Sequence, residues 1–172
     1  MNAIGAEAIA TRRLDLLPLL VEHADEMAEV LSDPALHAFI GGTPDTLEAL
    51  RSRYRRMVAG SPDPAVRWLN WVIRLRKEGC LTGTVQATIG PTGDGLVAEI
   101  AWVVGTPWQG RGIATEAAQG LVAWLGERPV DGVVAHIHPE HRASAAVATA
   151  AGLTPTDEQQ DGEIRWHRQI DR

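Results

Sequence analysis

The chain has 172 residues, 45% hydrophobic and 22% charged, with a formal net charge of −6. This is the mix of a soluble globular domain with a core of its own. The negative balance argues against a nucleic-acid binder held by bulk charge, no apolar run reaches the length of a membrane span, and a single cysteine, Cys80, excludes an intrachain disulfide and a cysteine metal cluster.

Met1 to Ala10 carries Glu7 and no basic residue, unlike a secretory signal, so a cytoplasmic location is expected. Ile9 to Leu16 reads as a first strand ending at Pro18. His23 to Leu31 sets Ala24, Met27, Ala28 and Leu31 at helical spacing. Ser32-Asp33-Pro34 stops that helix and starts a short helical turn, and Gly41-Gly42-Thr43-Pro44-Asp45 is a loop. Thr46 to Ala59 is a second helix with Leu47, Leu50, Tyr54, Met57 and Val58 on its apolar side. Arg51, Arg53, Arg55 and Arg56 surround Tyr54 there, either as a solvated face or within reach of an anion.

Three strand-like segments follow. Trp68 to Arg76 alternates Leu69, Trp71 and Ile73 with polar residues and turns at Glu78-Gly79. Gly83 to Ile89 alternates Val85, Ala87 and Ile89 with Thr84, Gln86 and Thr88. After the turn signal from Gly90 to Gly95, Val97 to Val104 places Ile100, Trp102 and Val104 on one face. Together they read as an antiparallel meander. The period then changes. A helix from Ile113 to Leu125 buries Ile113, Ala117, Leu121, Val122 and Leu125. Gly132 to Ile137 is a buried strand, and Ser144 to Ala151 is a helix closed by Gly152. Leu153 opens one strand and Glu163 to Ile170 forms the last. With no repeat or linker, residues 1–172 are expected to form one domain.

The chemistry concentrates at Val103-Val104-Gly105-Thr106-Pro107-Trp108-Gln109-Gly110-Arg111-Gly112-Ile113-Ala114. A strand runs into a turn of small residues and then into a helix, whose first N–H groups have no internal partner and carry the positive end of the helix dipole. Gly110 and Gly112 let an anion approach those amides, and Arg111 adds a cation, so the turn suits a pyrophosphate. It lacks the Gly-Lys-Ser/Thr of a Walker loop and the Gly-x-Gly-x-x-Gly spacing of a dinucleotide fold. Trp108 stands where it would cover a ligand. Glu99 interrupts an apolar strand: it is a base for an amine, or a strand residue that faces solvent or pairs with an arginine. Ser144 either protonates a leaving group or caps its own helix. His136, His138 and His141 alternate without a carboxylate at metal-ligand spacing, so no metal site is expected; His138 and His141 remain acid–base candidates.

Gln109-Gly110-Arg111-Gly112-Ile113-Ala114, the preceding Glu99-Ile100-Ala101-Trp102-Val103-Val104, the early Thr11-Arg12-Arg13-Leu14 and the stretch from His138 through Ser144 to Gly152-Leu153 resemble, in that order, the GNAT N-acetyltransferase superfamily. Within it they are similar to the RimJ/RimL-like branch of ribosomal-protein N-terminal acetyltransferases. The resemblance implies an α+β fold: a mixed, mostly antiparallel central sheet, flanked by helices and splayed at an acetyl-CoA cleft. It implies that backbone groups of Val103 and Val104 pair with the pantetheine arm. Amides from Gln109 through Gly110, Arg111, Gly112, Ile113 and Ala114 to Thr115 would hold the pyrophosphate. Glu99 and Ser144 become the catalytic candidates. The reaction implied is direct attack by an amine, from a small molecule or a protein N-terminus, on the thioester of acetyl-CoA, with no metal, no nucleic acid and no membrane involved. Homodimers are common in the family. Two departures stand out: His141 replaces the asparagine often found three residues before the serine, and the tyrosine that many members use as acid is missing from the C-terminal half, Tyr54 being the only tyrosine. A catalytically silent acyl-CoA-binding domain on the same fold and a simple phosphate-binding module are the competing readings.

Overall fold

The computed structural model describes residues 4–40, 42–93 and 95–171; Gly41 and Asp94, each within an expected loop, lie outside the described residues. In chain order the elements are β1 (Ile9–Ala10), β2 (Leu14–Pro18), α1 (Ala24–Val30), α2 (His37–Ile40), α3 (Leu47–Ala59), β3 (Arg67–Leu75), β4 (Cys80–Thr92), β5 (Gly95–Val104), α4 (Ile113–Gly126), β6 (Gly132–Ile137), α5 (Arg142–Ala150), β7 (Thr154–Gln160) and β8 (Glu163–Gln169). The strands form one eight-stranded sheet in the order β1-β2-β3-β4-β5-β6-β8-β7. Every neighbouring pair is antiparallel except β5 and β6. The fold is the mixed, mostly antiparallel α+β architecture expected from the resemblance.

The period-2 pattern of the meander sorts its residues onto two faces. Leu69, Trp71, Ile73, Val85, Ala87, Ile89, Ala98, Ile100 and Val104 meet the buried stripe of α4 and the inner side of α5. Trp71 is fully buried, sets its ring edge-on to Trp124 at 5.4 Å, and donates its indole N–H to the carbonyl of Glu7 at 2.7 Å. On the opposite face Val72 and Leu81 pack under α1 and α3, against Met27, Val30, Leu50 and Tyr54. Burying side chains of this size stabilises by roughly 1.5–3 kcal/mol each, so the two clusters clamp the sheet from both sides. Gly83 is required inside β4, since a Cβ there would lie 2.1 Å from the Val103 carbonyl oxygen. No helix among the described residues is long and apolar enough to cross a membrane.

Three boundaries and one apolar face differ from what the spacing predicts. The single first strand is a hairpin: Ile9 pairs with Leu16 across a turn in which Thr11 N–H meets the Leu14 carbonyl at 2.9 Å. That turn is held from outside by Arg76, which donates to the carbonyls of Thr11, Arg12 and Leu14. Gly90 and Pro91 belong to β4, opposite Val97 and Leu96, so the turn shrinks to the four residues from Thr92 to Gly95. Helix α5 begins at Arg142. In α3, Leu47 and Val58 stay 38% and 51% exposed, because the sheet reaches only Leu50 and Tyr54.

Candidate active site

Strands β5 and β6 stay together only from Val97↔Gly132 to Glu99↔Val134. Past Glu99, β5 continues with β4 as far as Gly83↔Val104, and β6 continues with β8 as far as Ile137↔Ile164. The sheet therefore parts at Glu99. The gap opens into a cavity of about 860 Å³, lined on the strand side by residues 99–103 and 135–138, by His141 and Ser144 from the α5 end, and across the face by Tyr54 and its neighbours.

Hydrogen-bond parity decides which backbone groups face the gap. Gly105 N–H donates to Thr82 O at 2.8 Å, and bonded pairs alternate along an antiparallel ladder. Val103 therefore spends its N–H and C=O on Thr84, while Trp102 and Val104 turn theirs away from β4, toward the side where β6 has left. The Val104 carbonyl accepts from Gln109 Nε2 at 3.0 Å. Val103, one of the two residues expected to meet an arm in the gap, presents to it no backbone donor or acceptor; Trp102, which the sequence reading passed over, does.

The glycine turn follows β5 directly. Gly110 and Gly112 have φ of 75° and 77°, a left-handed conformation that favours glycine, and Gly112 is the residue on which α4 starts. Among the described residues no acceptor takes the backbone N–H of Gly110, Gly112, Ile113, Ala114 or Thr115, whereas Gln109 N–H is bonded to Thr106 and Arg111 N–H closes the turn over Gln109 and Gly110. A run of free donors at the positive end of a helix is an anion site. The cation beside it is not the expected one. Arg111 swings back onto Glu78 at 3.2 Å, and it is Arg13 that reaches Gly112, its Nη2 lying 3.3 Å from where a Cβ would stand.

Arg13 is itself fixed. Its Nη1 donates to the Arg111 carbonyl at 2.9 Å, its Nε to Glu116 Oε1 at 2.7 Å and its backbone N–H to Glu116 Oε2 at 2.8 Å, while the Thr11 hydroxyl donates to Glu116 Oε2 as well. This knot ties the start of β2 to the first turn of α4. Nothing in local spacing points to it, since its partners are separated by about a hundred residues; only the acidic residue in a first helical turn hints at a role.

Glu99 points to the face opposite α4. Its Oε1 is bonded to His136 Nδ1 on β6, across the point where the strands part, and the side chains are 49% and 12% exposed respectively. Glu99 thus faces solvent in part, and its partner is a histidine, not the expected arginine. Ser144 does not cap α5. The capping residue is His141, with no side-chain cap bond, and Ser144 Oγ lies 3.4 Å from His141 Nε2. Burial, and then the neighbouring His138, lower the pKa of His141, so its ring is neutral at pH 7. His138 accepts the Glu140 N–H at 3.1 Å.

Three further expectations change on contact with the structure. Trp108 packs between the two core clusters instead of covering a ligand. Three arginines of α3 find neighbours in the protein: Arg51 with Asp25 at 2.6 Å, Arg53 with Asp45 at 3.1 Å, Arg56 with Ser52 at 3.1 Å. Tyr54, remote in sequence, arrives at the cavity. Its buried hydroxyl has no partner among the described residues, and burial pushes its pKa to about 12, so it stays a protonated donor. The Trp102 indole N–H is likewise buried without a partner.

The model of the acetyltransferase (GNAT) domain family matches residues 13–154. No curated protein sequence matches the chain significantly. Among solved structures, an acetyltransferase (GNAT family) from Bacillus anthracis gives a TM-score of 0.78 at 19% identity, covering 95% of this chain and 99% of that one. RimL, a ribosomal L7/L12 alpha-N-protein acetyltransferase in complex with coenzyme A, gives 0.78 at 19%, covering 96% and 99%. The microcin C7 self-immunity acetyltransferase MccE, in complex with acetyl-CoA and AMP, gives 0.75 at 18%, covering 93% and 94%. At these identities the likeness to each structure is one of fold.

Proposed function

The chain belongs to the acetyltransferase (GNAT) domain family, and on that premise we propose that it transfers an acetyl group from acetyl-CoA to a primary amine by direct attack within a ternary complex. The observation that carries the reading is the pairing of two unmet hydrogen-bonding sets among the described residues: the amides of Gly110 and of Gly112 to Thr115, and the unaccompanied edge of β5 beyond Glu99. A diphosphate on the first and an extended arm along the second, at Trp102 to Val104, would satisfy both at once, with the arm added to the sheet as a strand. This fits a coenzyme that is a diphosphate at one end and a chain of amides at the other. Trp102 offers backbone groups and a buried indole donor on this path.

The thioester would then lie where the strands part. The acceptor enters from the face of Tyr54 and α3, and the Glu99 carboxylate stands at the place where its proton is removed. An ammonium cannot attack. A nearby base must take one proton before the C–N bond forms, and a typical contribution is 10²–10⁴-fold. When the C–S bond breaks, its electron pair goes to sulfur, and the Ser144 hydroxyl, which lines the α5 side of the cleft, is the donor assigned to it. Ser144→Ala is expected to lower kcat by about tenfold while leaving the KM for acetyl-CoA nearly unchanged; a rise in KM alone would assign the serine to binding.

The acceptor is either a protein N-terminus or a small-molecule amine. The test is release of free thiol from acetyl-CoA in the presence of tripeptides with free N-termini and primary alkylamines, alongside thermal melting with acetyl-CoA and with ATP. Thiol release dependent on the amine is expected, with stabilisation by acetyl-CoA and not by ATP. Stabilisation without release for any amine would make this a silent acyl-CoA-binding domain. Equal stabilisation by both would leave only a phosphate site.

A further inference from the structure

Glu99 is bonded to His136 at the opening of the sheet, and this contact has a chemical direction. A carboxylate only accepts hydrogen bonds, so Nδ1 of His136 carries the proton and donates it to Glu99 Oε1. In the neutral ring this is the tautomer with the lone pair on Nε2, for which no partner exists among the described residues. The two residues come from different strands, Glu99 at the last paired position of β5 and His136 two residues past the corresponding Val134 of β6. Both line the cavity. We propose that His136, held in this tautomer by Glu99, is the general base of the acetyl transfer, and that Glu99 is its positioning residue. The inference rests on the transferase reading above and names the atom that receives the amine's proton.

In the step proposed, the acceptor ammonium gives one proton to Nε2, whose positive charge is shared with the Glu99 carboxylate. The free amine attacks the thioester carbonyl carbon, and the carbonyl electron pair moves to oxygen. Collapse breaks C–S, sulfur keeps the electron pair, and the second nitrogen proton is delivered to sulfur through Ser144. His136 returns its proton to solvent. One acetyl amide, one thiol and one proton result. The arrangement has the logic of a base oriented by a carboxylate from behind, in which the carboxylate stabilises the imidazolium without contacting the substrate. The charged and titratable groups facing the dyad are Arg165, opposite His136 on β8 and 3.4 Å from Glu158; Glu163 and Asp161 at the β7–β8 end; and His138 and His141 beyond β6. From α3 and the segment before it, Arg53 and Asp45 close the far wall, paired with each other.

The experiment compares His136→Ala, Glu99→Gln and the double variant with the parent, using the fastest amine of the panel above at saturating acetyl-CoA across pH. His136→Ala is expected to lower kcat/KM by about 10²–10³-fold and to lose the acidic limb of the pH profile, with added imidazole restoring at least about tenfold of the loss. Glu99→Gln is expected to cost less, about tenfold, and the double variant to be no worse than His136→Ala. A nitrogen-15 spectrum of the imidazoles, which needs no turnover, should show His136 protonated on Nδ1 and mixed tautomers in Glu99→Gln. The proposal is overturned if His136→Ala stays within threefold of the parent, if the two losses multiply, or if the Nε2–H tautomer is found. Thermal shifts with acetyl-CoA keep the two levels apart. A parent that does not respond to acetyl-CoA sinks the transferase reading; a responsive, active His136→Ala sinks only the dyad.

Discussion

Gly112→Asp is expected to weaken acetyl-CoA binding by two orders of magnitude or more, measured by calorimetry on the folded variant. Aspartate is among the residues that tolerate the left-handed conformation of this position, φ 77°, so backbone strain is a minor part of the loss. Its Cβ would meet only the end of the Arg13 side chain, at 3.3 Å, so the guanidinium must give by a few tenths of an ångström against its bonds to Arg111 and Glu116. What remains is charge: a carboxylate placed among free amides that are proposed to hold a diphosphate. At an effective dielectric near a protein surface, repulsion between such neighbours is worth a few kcal/mol, and about 2.7 kcal/mol is a hundredfold. Gly112→Asn has the same size and the same conformational tolerance without the charge, and is expected to lose less than tenfold. An aspartate variant that binds like the parent would remove the turn from the coenzyme site.

The difference between what local sequence reveals and what it conceals follows from range. The meander, α4 and the glycine turn were legible because each is set by neighbours within a few residues: alternation at Val85, Ala87 and Ile89, the stripe from Ile113 to Leu125, and a turn whose glycines both adopt positive φ. The hairpin at Ile9–Leu16 was not, because the bend depends on Arg76, some sixty residues away, binding the carbonyls of Thr11 and Arg12. The identity of the cation at the turn was lost for the same reason. Arg111 is adjacent in sequence, yet Glu78 draws it off, and Arg13 arrives from β2. Tyr54 and His136 look like an ordinary helix residue and one of three alternating histidines until the sheet brings both to one cavity. Even within a correctly read strand, which residue serves a ligand depended on ladder parity, which Gly105 and Thr82 set and no spacing reveals.

Glu116→Ala is expected to destabilise the fold by about 2–4 kcal/mol, read as a fall in thermal midpoint or in denaturant midpoint. The carboxylate is 17% exposed and receives three hydrogen bonds, from the Thr11 hydroxyl and from the backbone and side chain of Arg13. Removing it leaves the Arg13 guanidinium partly buried beside the amides of the α4 start, still bonded to the Arg111 carbonyl but without its carboxylate. The same balance predicts the pH dependence. Burial raises the Glu116 pKa, but the bonds from Thr11 and Arg13 outweigh it and hold the carboxyl below its ordinary 4.5. The folded form thus binds its proton less readily than the unfolded chain, and the stabilisation is complete above about pH 4.5 and is lost as pH falls through the depressed folded value. The parent should therefore lose more stability than Glu116→Gln between neutral pH and the acid side of that window. Glutamine keeps acceptor oxygen for one of the bonds but no charge, so it should fall between parent and alanine at pH 7 and converge on the parent in acid. If acetyl-CoA binds the turn, it supplies the missing negative charge, and its addition should recover more thermal stability in Glu116→Ala than in the parent at matched occupancy; equal shifts would mean that Arg13 and the turn are not energetically joined.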